Sequence, residues 1–249
     1  MRSSLALIAV AVLCWLNGGA RAAGVDLVVV LAADVSRSVD DEEFQLQRKG
    51  YAAALTDARV LKAIQATKTR AIGVCFIEWS GEDDQKIVLP WTEIRDEEDG
   101  GGAAAVILKA PRSFTGRTSI SAAIDYAMKY FAKAAWPATR RIIDISGDGT
   151  SNAGRPITEA RDQAIAAGVT INGLAIINEQ PNFGYSAHTH PPGGLPNYYR
   201  QNVVGGSSAF LIVVKNFDSF ADAMANKLAK EINVARGADG EAVVSLQHR

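Results

Sequence analysis

The 249-residue chain balances 26 Lys and Arg against 27 Asp and Glu, for a formal charge of −1. That balance argues against a nucleic-acid interface, which needs a strongly basic patch. No segment is an apolar run of the roughly 20 residues that a membrane-spanning helix requires.

The first 22 residues read as a secretory leader. Arg2 gives a basic start, Leu5 to Leu16 an apolar core, and Ala20-Arg21-Ala22 a small-x-small cleavage site. Asn17-Gly18-Gly19 ends the apolar run too early for an anchor. A lipid-modified Cys14 is the alternative, but Leu13 stands where a small residue is expected. Cleavage after Ala22 removes Arg2 and Arg21 and no acid, taking the charge from −1 to −3. The remaining length suits one large domain, residues 23–236, with a loosely ordered tail at 237–249. The protein is then expected in the periplasm or outside the cell. Cys75 becomes the sole cysteine, so no internal disulfide forms, and its apolar neighbours predict a buried thiol.

Val25 to Ala33 is a continuous apolar run, as expected of a strand covered on both faces. Asp40 caps the next helix, with Glu43 completing a capping box. Asp57 to Ala66 adds a short helix. Ala71 to Trp79 and Lys86 to Trp91 form a hairpin at a sheet edge, joined by the solvated turn Gly81-Glu82-Asp83-Asp84. Trp79 and Trp91 read as packing residues. Glu97 to Lys109 is a helix interrupted by Gly100-Gly101-Gly102. From Thr118, the residues Ile120, Ile124, Ala127, Met128 and Phe131 fall on one helical face, up to Pro137. Arg141 to Ser146 is a strand, Ile157 to Ala167 a helix closed by Gly168, and Val169 to Ile177 a strand. Asn178 to Gln201 reads as a long irregular loop. Its His188 and His190 are too few for a zinc site and fit a plain surface loop. Ala209 to Val214 and Phe217 to Val234 close the domain as strand and helix.

Strands alternating with helices imply an α/β fold: a doubly wound, mainly parallel sheet with one antiparallel edge strand and helices on both faces. Ligands of such sheets sit at the carboxyl ends of the strands. Neither G-x-G-x-x-G nor G-x-x-x-x-G-K-[ST] is present, which argues against dinucleotide and P-loop sites.

Three segments should meet at that edge. Asp34-Val35-Ser36-Arg37-Ser38 follows the first strand, Thr115-Gly116-Arg117-Thr118 precedes a helix, and Ser146-Gly147-Asp148-Gly149 leaves a strand. Together they offer two carboxylates and three hydroxyls, ligands for a hard divalent cation such as Mg²⁺. Taken singly, Ser38 and Thr118 also fit helix caps and Asp148 a turn. The order of all five points to a site.

This D-x-S-x-S, the following Thr and the later Asp-Gly resemble the von Willebrand factor A domain and its metal-ion-dependent adhesion site, over about Val25 to Val234. Uncharacterised bacterial secreted proteins built on one such domain are the nearest likeness. The resemblance implies that Ser36, Ser38 and Thr118 bind Mg²⁺ or Mn²⁺ directly, that Asp34 and Asp148 often act through water, and that one position stays open for a partner's Asp or Glu. The implied function is an exported, non-catalytic binding module for a protein ligand. The competing reading is a Mg²⁺-dependent hydrolase or phosphotransferase of the D-x-D type. Ser36 stands where that class needs its second Asp, and G-x-S-x-G is absent.

Overall fold

The computed structural model describes residues 24–177, 186–215 and 217–234. The leader and Cys14, the tail from 237, and the segment 178–185 lie outside the described residues. The sheet has six strands in the order β3-β2-β1-β4-β5-β6. These are β1 (Val25–Asp34), β2 (Ile72–Trp79), β3 (Gln85–Ile94), β4 (Ala138–Gly147), β5 (Val169–Ile176) and β6 (Leu211–Val214). Only β3 runs antiparallel, paired to β2 at the sheet edge, as the hairpin pattern predicts.

Strand β1 lies in the middle because both of its faces are apolar. Leu27, Val29, Leu31 and Ala33 enter one core, and Val28, Val30 and Ala32 the other. The first core is covered by α1 (Asp41–Thr56), α2 (Ala58–Gln65), α3 (Glu97–Lys109) and α8 (Phe220–Asn233). The second is covered by α4 (Ile120–Phe131), α5 (Ile157–Ala166) and α7 (Leu195–Asn202). The sheet is therefore doubly wound. Cys75 is fully buried there, and burial pushes its thiol pKa up. Trp79 is fully buried, while Trp91 stacks on Tyr130.

Local signals start the helices. The Asp40–Glu43 capping box forms, with Glu43 N donating to Asp40 Oδ1 at 2.9 Å. Two expectations need correction. Helix α3 is continuous through its three glycines: Asp96 caps it, and Gly100 lies so close to the Leu55 carbonyl that a side chain would collide. The glycine allows α3 to approach α1, an advantage that local propensity does not register. The expected long loop also contains structure. After a short helix α6 (Ser186–Thr189) comes α7, whose Leu195 and Tyr199 are buried against the sheet. Among the described residues, no helix is long and apolar enough to cross a membrane.

The register sets up the edge. Asp34 on β1 is level with Trp79 on β2, and Ala33 with Ser146 on β4. The residues that follow these strand ends emerge together beside the start of α4.

Candidate metal centre

The three motif segments converge. Ser38 Oγ donates to Asp148 Oδ1 at 2.7 Å, joining residues 110 apart in sequence. Ser36 and Ser38 hydroxyls lie 3.3 Å apart. Asp34 Oδ1 accepts from Ser36 N at 2.7 Å, which folds the strand end into a tight turn. Thr118 does not cap its helix. Ser119 does, leaving the Thr118 hydroxyl free of that role. The Thr118 loop is held by Asn152, whose Oδ1 accepts from Thr118 N at 3.0 Å and whose N donates to Thr118 O at 2.8 Å. All five residues are 4% exposed or less.

The electrostatics of this edge are out of balance. Asp34 and Asp148 are fully buried, and among the described residues neither makes an ion pair. Burial raises the Asp34 pKa to about 6, against the hydrogen bonds from Ser36 and the positive charge of Arg112. Burial, and then the charge of Asp34, raises Asp148 to about 7. Among the described residues, one oxygen of each, Oδ2, has no hydrogen-bond partner. Buried carboxylates are costly unless paired or bound to a metal. Two carboxylates and three hydroxyls at one place fit a hard divalent cation, so the residues present suit the group the resemblance implies. Among the described residues, no three His, Cys, Asp or Glu side chains form a metal-binding group. The oxygen donors that meet here are three hydroxyls and two carboxylates.

Sequence reasoning missed several contributors. Arg112, in the segment after α3, donates from Nη2 to the carbonyls of Val35, Ser36 and Val39 at 3.0, 3.0 and 2.7 Å. It stitches together the backbone of the D-x-S-x-S turn. Nothing local marks it, because its partners lie more than 70 residues away. Tyr199 of α7 is fully buried, and its phenol pKa is pushed up by burial and by the charges of Asp34 and Asp148. His188 is the largest departure. Its Nε2 lies 3.2 Å from Thr118 Oγ1 and its Nδ1 3.0 Å from Thr150 Oγ1, so it is not a plain surface residue. Burial lowers its pKa. His190, by contrast, is exposed. The H-x-H spacing was visible in the sequence; its approach to Thr118 was not.

Solved structures share this architecture. A von Willebrand factor type A protein from Catenulispora acidiphila matches at TM-score 0.59 and 15% identity, over 84% of this chain and 43% of that one. Proximal thread matrix protein 1 from the mussel byssus, described with a zinc-occupied MIDAS motif, matches at TM-score 0.61 and 16% identity, over 86% and 48%. BatB from Bacteroides thetaiotaomicron matches at TM-score 0.52 and 19% identity, over 82% and 99%. The chain spans less than half the length of the first two. At these identities the likeness establishes the fold, which is that of the von Willebrand factor A domain. No curated protein matches the sequence. The family model described as "Protein of unknown function (DUF1194)" matches residues 24–236, and the chain belongs to that family.

Proposed function

We propose that the protein is an exported binding module that holds one divalent cation, Mg²⁺ or Mn²⁺, at Asp34, Ser36, Ser38, Thr118 and Asp148. Through that cation it engages an Asp or Glu of a protein partner. The observation that carries this reading is the pair of fully buried carboxylates that make no ion pair among the described residues, beside three hydroxyls. A bound divalent cation supplies the electrophilic point that a carboxylate coordinates. The chain's residues do the rest. Asp34 and Asp148 balance charge, the three hydroxyls hold the site without neutralising it, and Arg112 fixes the turn that presents Ser36 and Ser38.

Beside the site lies an open groove of about 460 Å³, lined by Asn152, Arg155, Thr158, Tyr198 and Asn202 among others. A single charge-assisted contact gives little affinity while exposed to water, and a groove of this kind offers the additional polar contacts a protein ligand needs. The proposed organisation is a leader over residues 1–22, the domain over 23–236 and a tail over 237–249. Mass spectrometry of the exported protein should then find Ala23 first. A lipid-bearing Cys14 would overturn that signal type.

Calorimetry on metal-stripped protein tests the site. One divalent cation should bind, and Asp34→Ala and Asp148→Ala should abolish binding. Unchanged binding in both variants sinks the assignment. The hydrolase reading retains one observation, an imidazole beside the site. Yet both His188 nitrogens face hydroxyls, and among the described residues no carboxylate orients the ring as a general base. Mg²⁺-dependent turnover of phosphate esters, lost in Asp34→Ala, would establish that reading instead.

A further inference from the structure

We propose that His188 is a nitrogen donor to this centre, turning the site's preference from Mg²⁺ toward a borderline cation such as Zn²⁺. This inference rests on the metal reading above and concerns which metal the site takes.

Three observations carry it. The first is placement. His188 Nε2 is 3.2 Å from Thr118 Oγ1, and the Ser36 and Ser38 hydroxyls are 3.3 Å apart. Neighbouring donors around an octahedral cation with bonds near 2.1 Å stand about 3 Å apart. His188, Thr118 and Ser38 also line one cavity of about 70 Å³, together with Arg37, Gly116 and Asn152.

The second is orientation. His188 is held at both ends by Thr150, whose N donates to His188 O at 3.1 Å and whose hydroxyl meets His188 Nδ1 at 3.0 Å. When Nδ1–H donates to that hydroxyl, Nε2 presents its lone pair toward Thr118. An outer partner that fixes the tautomer in this way is the usual companion of a metal-bound imidazole.

The third is room. Gly149, directly after Asp148, lies under the ring, and any side chain there would run into the imidazole. The D-G at this strand end therefore serves the histidine as well as the turn.

The chemical consequence follows from ligand type. Oxygen-only sets suit Mg²⁺, whereas imidazole suits Zn²⁺ and other first-row cations and adds little for Mg²⁺.

Calorimetry with Zn²⁺ and, separately, Mg²⁺ on metal-stripped wild type, His188→Ala, Gly149→Ala and His190→Ala tests the proposal. Losing an outer-sphere partner already lowers metal affinity by about 10–100-fold, so removing a direct donor should weaken Zn²⁺ at least about tenfold. His188→Ala should leave Mg²⁺ unchanged. Gly149→Ala, which keeps the imidazole but displaces it, should follow His188→Ala, and His190→Ala should match wild type. In ¹⁵N-histidine NMR, the Nε2 resonance of His188 should move when Zn²⁺ is added. Equal Zn²⁺ affinity in wild type and His188→Ala overturns this inference and leaves the metal centre standing. Failure of wild type to bind either cation overturns both.

Discussion

Among the described residues, Asp144 with Glu231 and Asp34 with Asp148 are two pairs of buried carboxylates, and they are treated differently. In the interior of the first core, Asp144 of β4 and Glu231 of α8 are fully buried with Lys227 between them. Its ammonium lies 2.6 Å from Asp144 Oδ1 and 2.5 Å from Glu231 Oε1. Asn172 also donates to Glu231 at 2.8 Å. At the carboxyl end of the strands, Asp34 and Asp148 are equally buried and, among the described residues, have no ammonium or guanidinium in contact. One pair carries its own cation on a covalent stem. The other has hydroxyls in the cation's place. Burial of charge at an edge that opens to loops, without an ion-paired group among the described residues, is what the proposed cation from outside would balance.

The largest effect expected is from removing the internal cation. Lys227→Met leaves two buried carboxylates uncompensated and should destabilise the protein by about 3–5 kcal/mol, read as a shift in urea midpoint. Adding Glu231→Gln should recover part of that loss. If Lys227→Met is as stable as wild type, the two pairs are not distinguished by their counter-ion.

The opposite sign is expected at the edge. Asp34 and Asp148 have pKa values raised to about 6 and about 7. A raised carboxylate pKa favours the fold at low pH, and that contribution disappears as pH rises through the folded value. Metal-free protein should therefore lose stability between about pH 4 and pH 7. Asp144, raised to about 7 mainly by burial and the charge of Glu231, titrates in the same window, so the variant comparison carries the test. Asp148→Asn should lose less over that window and be more stable than metal-free wild type at pH 8. The upper bound on the gain is about 4 kcal/mol, the cost of ionising a buried carboxylate whose pKa is raised to about 7. Added divalent cation should raise the wild-type melting temperature at pH 8 and do little at pH 5. A metal-free wild type more stable at pH 8 than at pH 5, with Asp148→Asn no different, would remove the contrast between the pairs.

A smaller effect sharpens the comparison. Arg112→Leu removes three hydrogen bonds to the turn carbonyls while leaving both carboxylates in place. It should cost about 1–3 kcal/mol of stability. It should also weaken metal binding, because the turn that presents Ser36 and Ser38 loosens. Melting temperature and calorimetry on one preparation check both, and undiminished metal affinity would show that the turn holds its shape without Arg112.

The elements were legible where a local signal exists. Continuous apolar runs marked β1, β2 and β5, the capping box marked α1, and the five motif residues appeared in order because each follows or precedes a recognisable element end. α7 was missed because Leu195-Pro196-Asn197-Tyr198-Tyr199 carries turn-like residues, and its reason to be helical is the burial of Leu195 and Tyr199 against the sheet. Nothing local in the sequence of α8 singles out Lys227. Only the packing of α8 over β4 places its ammonium against Asp144.

By itself the sequence determined the main alternation of strands and helices and the doubly wound sheet, and it singled out five candidate oxygen donors, because these follow from periodicity and chain order. The tertiary structure decided what lies across from what: Ser38 against Asp148, Arg112 under the turn, Lys227 between its two carboxylates and His188 over Thr118. Each of those pairings joins distant segments. Their geometry depends on how helices and loops settle on the sheet, and no local pattern in the chain encodes it.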